Sequence, residues 1–153
     1  MRNKILVLGL GNILMGDEGI GIHAVNEFKK KKSVPEGVAV LDGGTGGFHL
    51  LSYLQEYPLI IMIDAALNND PEGKLKIIKP KFATDFPKGL SAHDIGLKDL
   101  IESIALLDKL PEIYLVTVSI KVFNSMTMEL TPAISQTIPH IINEIESILD
   151  SLN

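Results

Sequence analysis

The sequence predicts an α/β fold: a single-domain three-layer sandwich with a twisted, mainly parallel sheet of about five strands and helices on both faces. Three observations carry that prediction. The short runs Ile5-Leu6-Val7-Leu8, Val38-Ala39-Val40-Leu41 and Leu59-Ile60-Ile61-Met62-Ile63 are continuously apolar. All three are too brief for helices, and the first and third read as strands buried on both faces. Segments with apolar residues at helical spacing lie between and after them. Each strand-like run ends in a polar or glycine-rich turn. With 153 residues and 46% hydrophobic content, residues 1–153 suit one domain able to bury a substantial core.

Taken in order, the first strand passes through Gly9-Leu10-Gly11-Asn12 to Asp17-Glu18, where a helix over residues 17–32 is expected. Two acids at a helix start are favoured by the exposed N–H groups and the positive dipole end. Ile20, Ala24, Val25 and Phe28 give this helix its buried face, and lysines close it. The glycine pattern is half of a dinucleotide-binding motif, but Leu14 stands where the third glycine belongs. The two carboxylates would also repel a pyrophosphate, so the loop suits a cation better than an anion.

Pro35-Glu36-Gly37 turns the chain into the second strand. That strand ends in Asp42-Gly43-Gly44-Thr45-Gly46-Gly47, a loop suited either to a tight crossover or to close backbone approach by an extended ligand. A short helix is expected over residues 48–54, with His49 on its solvent side. The third strand places Asp64 at its carboxyl end. A carboxylate there must be paired, hydrogen-bonded, capping or bound to metal, because burying it alone is costly. Residues 74–79 alternate roughly and suggest an edge strand; residues 82–90 read as loop. Ser91-Ala92-His93-Asp94 opens a helix whose apolar face runs from Ile95 to Leu107, and residues 114–118 form the last strand. Thr131-Pro132 starts a closing helix, with proline in its first turn and isoleucines on its inner face. His23 and His140 read as boundary or surface residues.

Composition excludes several functions. The net charge is −5 and Arg2 is the only arginine, so the basic, fork-donating face of a nucleic-acid reader is missing. The chain has no cysteine, which removes disulfides, thiolate metal sites and cysteine nucleophiles, and makes a reducing compartment the default. No apolar run reaches membrane-span length, and a cytoplasmic protein is expected. No G-x-S-x-G elbow supports a serine hydrolase. What remains is Glu18, Asp64 and His93, which a parallel sheet would gather on one edge. Two carboxylates and an imidazole suit Zn, Ni, Mn or Fe(II) with open positions.

The segments GLGNILMGDEGIG (9–21), LDGGTGG (41–47), LIIMIDA (59–65), SAHDIGL (91–97) and LTPAI (130–134) occur in this order. Together they resemble the hydrogenase maturation endopeptidases, across nearly the whole chain. The resemblance implies a protease that removes a short C-terminal extension from a [NiFe]-hydrogenase large-subunit precursor once nickel is inserted. It assigns metal recognition to Glu18, Asp64 and His93, and handling of the substrate peptide to Asp42, Gly43, Gly44, Thr45 and Gly46. It implies nickel supplied by the substrate rather than a permanent cofactor, although another divalent ion could occupy the site. No clear spare base accompanies the triad; Asp17 is a candidate for water activation or for a supporting role, with capping the simpler one. The expected partner is the nickel-loaded precursor, met by a monomer without nucleic acid or membrane. One departure stands out: Lys121-Val122-Phe123-Asn124-Ser125-Met126 replaces the proline-containing acidic segment usual in relatives, which bears on which hydrogenase is served. The competing expectations are a non-enzymatic nickel-sensing or nickel-delivery module that binds the precursor, and a nucleotide-binding α/β protein.

Overall fold

A computed structural model describes residues 4–31, 34–45, 47–90, 101–103, 106, 110–121 and 126–152, and the structural statements below concern these. Five strands form one sheet in the order β2-β1-β3-β5-β4. They are β1 (Ile5–Gly9), β2 (Val38–Asp42), β3 (Leu59–Leu67), β4 (Leu75–Ile78) and β5 (Glu112–Ile120). β1 lies parallel between β2 and β3, β5 runs parallel to β3, and β4 closes the edge antiparallel to β5. The chain leaves β1 toward β2 and returns on β1's other side as β3. Their carboxyl ends therefore flank a topological switch point, the usual place for a ligand crevice in open α/β sheets.

Side-chain alternation along the strands divides the core in two. Val7, Ile61, Ile63, Val116 and Val118 face helix α1 (Ile20–Lys31) and the C-terminal helix Ile138–Ser151, meeting Ala24, Phe28, Ile141 and Ile145. Leu6, Leu8, Ile60, Met62 and Leu115 face the other way, onto Leu50, Leu54, Leu90 and Ile101. Leu54 belongs to α2 (Leu51–Glu56), which follows a 3₁₀ turn at Phe48–Leu50. Each large side chain buried in full contributes about 1.5–3 kcal/mol, so the two faces together hold the sheet rigid under its loops. Among the described residues, no helix is long and apolar enough to cross a membrane.

The structure refines several expectations. The helix expected from Asp17 begins as a 3₁₀ turn, Gly16–Gly19, and becomes α-helical at Ile20. β3 runs three residues beyond Asp64, because β5 pairs with it as far as Leu67, so Asp64 is not at its end. Residues 82–90 include a 3₁₀ turn at Ala83–Asp85, whose Asp85 Oδ2 accepts the N–H groups of Lys81 and Phe82. The closing helix is broken: Pro132–Ser135 is one short helix and Ile138–Ser151 another. Pro139 explains the break, since it lacks the N–H that a continuous helix would aim at the Ser135 carbonyl. Of the helix expected from Ser91, residues 91–100 lie outside the described residues, while Ile101–Ser103 are helical.

Candidate metal-recognition and peptide site

The site grows from the end of β1. Leu10 donates its N–H to the Ile63 carbonyl at 2.9 Å, carrying the β1–β3 ladder one step past the strand. The chain then folds back through Gly11–Met15 into the Gly16–Gly19 turn, which packs against β3. Gly11 rests so close to the Glu18 carbonyl oxygen that any side chain there would collide with it. Gly21 makes the close helix–sheet approach that the missing third glycine of a dinucleotide motif would have made: a Cβ there would strike the carbonyls of Leu10 and Ile63. Glu18 is half-buried on this turn.

Asp64 is completely buried. In β3 it shares its parity with Ile60, Met62 and Ala66, so it takes a place on the second face that its neighbours fill with apolar groups. Its Oδ1 accepts the Ala65 N–H at 2.8 Å, which offsets part of the cost of burying the charge. On β5, Thr117 lies directly opposite Asp64 and Ser119 opposite Ala66. Both are buried, and the Ser119 hydroxyl has no hydrogen-bond partner among the described residues. A polar strip thus crosses the carboxyl ends of β3 and β5. Its signal was present in the sequence as Thr117 and Ser119 alternating with Val118 and Ile120, and sequence reasoning missed it.

The glycine loop sits beside this edge. Gly43 donates to the Gly9 carbonyl at 2.8 Å and Gly11 to the Gly44 carbonyl at 2.8 Å, so the loops after β1 and β2 are stitched together. Asp42, exposed at the end of β2, accepts the Gly44 N–H on Oδ1 at 2.9 Å and so shapes the turn. Gly44 has φ +56°, which disfavours a side chain, and the space where its Cβ would stand is open to 4 Å. Thr45 is half-buried beside it. The result is a bare backbone ledge next to the Glu18 turn, a surface an extended peptide can approach closely. Gly46 and His93 lie outside the described residues. Among the described residues, no three His, Asp or Glu side chains are grouped to hold an ion. The structure therefore brings Glu18 and Asp64 to adjoining elements of one edge, the Gly16–Gly19 turn and β3.

Asp17 is buried, and it does not cap its own turn. Its Oδ1 accepts the Thr131 N–H and its Oδ2 the Thr131 hydroxyl, both at 2.8 Å. Thr131 in turn precedes the Pro132–Ser135 helix as its N-cap residue. Nearby, Thr127 donates its N–H to the Leu14 carbonyl and accepts the Gly16 N–H, a short parallel bridge beside Met15. These contacts link residues more than a hundred positions apart, and no local sequence pattern reports them.

A family model described as hydrogenase maturation protease matches residues 22–148, a range that includes Asp64 and His93 and begins after Glu18. The hydrogenase expression/formation protein HupD of Bradyrhizobium diazoefficiens is 41% identical over 112 residues, which are 72% of this chain and 58% of that protein. The hydrogenase 2 maturation protease of Escherichia coli K12 is 32% identical over 111 residues, 71% of this chain and 68% of that one. Among solved structures, the hydrogenase maturating endopeptidase HybD from E. coli matches with a TM-score of 0.84 at 29% identity, covering 98% of this chain and 94% of its own. The [NiFe] hydrogenase maturation protease HybD from Thermococcus kodakarensis gives 0.77 at 26% identity, covering 95% and 98%. The match thus spans little more than half the length of HupD but nearly all of the solved structures. With its acid-bearing turn, buried strand aspartate and glycine ledge at one sheet edge, the chain belongs to the hydrogenase maturation protease family.

Proposed function

We propose that this protein is an endopeptidase that removes the C-terminal extension of a [NiFe]-hydrogenase large-subunit precursor after nickel insertion. Glu18, Asp64 and His93 recognise the nickel carried by that substrate, and residues 42–46 receive the peptide. The observation that carries this proposal is the buried Asp64 carboxylate, set among apolar side chains at the switch point and beside the Glu18 turn. Carboxylate oxygens with one imidazole nitrogen make a borderline donor set that suits nickel and leaves positions for the precursor's own ligands. His93 can join it by chain connectivity. Leu90 bridges Ala66, two residues past Asp64, and three residues of chain span at most about 11 Å from there. The open ledge at Gly44 lets backbone meet backbone, which suits a substrate read by shape and metal content more than by side-chain pockets.

In this role nickel belongs to the substrate, and the protein's contribution is to hold the scissile peptide still while water adds to its carbonyl and the amine departs with a proton. We further infer that it works as a cytoplasmic monomer. The decisive experiment incubates the pure protein with nickel-loaded and nickel-free precursor and follows intact mass. Loss of a C-terminal fragment from the loaded precursor alone is the expected result. Tight binding with no mass loss would instead make the protein a nickel-sensing or delivery module.

A further inference from the structure

We propose that Asp17 is a positioning residue that fixes Glu18, acting through a strap formed by residues 126–131. This rests on Glu18 recognising the substrate's nickel. The strap is tied at both ends to the residues immediately before Glu18. At one end Thr127 exchanges hydrogen bonds with Leu14 and Gly16, at 2.9 and 2.7 Å. At the other end Thr131 gives both its N–H and its hydroxyl to the buried Asp17 carboxylate. Glu129 N–H donates to Thr127 Oγ1 at 3.1 Å, folding the strap between its anchors. On the inner side, Gly11 abuts the Glu18 carbonyl and Gly19 packs on Ile13, so the turn is held from both flanks.

The turn itself cannot supply this rigidity. It is four residues long, has no side-chain cap at its start, and its Glu18 N–H reaches the Met15 carbonyl at a long 3.3 Å. The carboxylate next to Glu18 therefore works in the opposite direction from a metal ligand: it is turned into the protein, with each oxygen occupied by a Thr131 donor. A charged acceptor taking two short hydrogen bonds from one residue defines an orientation as well as a distance. Adjacent acids thus divide the labour, one anchoring the turn and the other facing the substrate.

The test compares Asp17→Ala, Thr131→Val and Thr131→Ser with Glu18→Ala as reference, using processing kinetics on nickel-loaded precursor and amide exchange at Glu18. Thr131→Val is nearly isosteric and keeps the fold safe should Asp17→Ala unfold. We expect Asp17→Ala and Thr131→Val to raise KM about tenfold with kcat within about twofold, the mark of weakened substrate binding. Exchange at Glu18 quickens in both variants, and Thr131→Ser, which keeps both donors, behaves as the native chain. If Glu18→Ala raises KM while Asp17→Ala and Thr131→Val leave it native, positioning by Asp17 is overturned and the nickel role of Glu18 stands. If Glu18→Ala itself keeps the native KM, the recognition role falls and the positioning role falls with it. A Thr131→Ser variant as impaired as Thr131→Val also overturns the proposal, since the hydroxyl would then not be the operative group.

Discussion

Asp64 places a carboxyl group where the fold alone would ask for an apolar side chain. Asp64 sits fully buried in a strand position whose neighbours of the same parity are Met62 and Ala66. Burying a carboxyl group there costs folding energy, and the hydrogen bond from the Ala65 N–H helps to offset it. Asparagine keeps the volume and the acceptor for that N–H while removing the charge. Asp64→Asn should therefore fold, with a melting temperature within about 5 °C of the native chain. The same holds for Glu18→Gln on its half-buried turn. Both should lose processing of nickel-loaded precursor by about a hundredfold or more, since a neutral amide is a poor ligand for a divalent cation. His93→Ala should match them. A variant that folds and still cuts at the native rate would remove its residue from the recognition set.

At the level of elements, the buried strands β1 and β3 could be read from the sequence as unbroken apolar runs too short for helices, although β2 carries the same kind of run while only half-buried at the sheet edge. The β4 edge strand was legible for the opposite reason: residues 74–79 alternate roughly in sequence, although in the fold Lys76 and Ile77 are both exposed on the rim. Asp64 and Glu18 could be picked out because charge directly after an apolar run or in a glycine-rich turn is conspicuous. The break before Ile138 was missed although Pro139 was in plain view, since the isoleucine spacing carries through it and masks the lost N–H. Capping is the local role that the sequence offers Asp17; its actual partner, Thr131, is set by tertiary packing. The edge strand also gives a prediction of its own. Lys76 Nζ lies 2.7 Å from Asp70 Oδ2 and closes the turn before β4. The Lys76 hydrogen bond, aided by the charges of Lys76, Lys74 and Lys121, holds the Asp70 carboxyl below its ordinary value. A depressed folded pKa means stability that is present above the unfolded value and lost as pH falls through the folded one. Lys76→Ala should thus be slightly less stable than the native chain near neutrality, and the gap should close below about pH 4. Denaturant unfolding across that range reads it.

On the scale of the whole molecule, the sheet supplies a fixed edge and the substrate is proposed to supply the metal, which turns cleavage into a report on the precursor's state. Preferring loaded over empty precursor a hundredfold requires about 2.8 kcal/mol of differential binding. Ligands proposed on the Glu18 turn and on β3 are a source for it, because only the loaded precursor would engage them. This arrangement predicts how the protein responds to metal removal. If nickel arrives with the precursor, a chelator applied to the protein alone has nothing essential to extract. After treatment and removal of the chelator, the melting temperature and circular dichroism should be unchanged. Loaded precursor should then be processed at the original rate with no metal added back, whereas precursor stripped of nickel should stay intact however much protein is supplied. A resident hydrolytic metal predicts the reverse pattern: the treated protein would be inactive until metal was returned to it, and stripped precursor would be cut once it was. The two patterns differ in which partner must be reloaded, so one crossed experiment, treating each component in turn, decides between them.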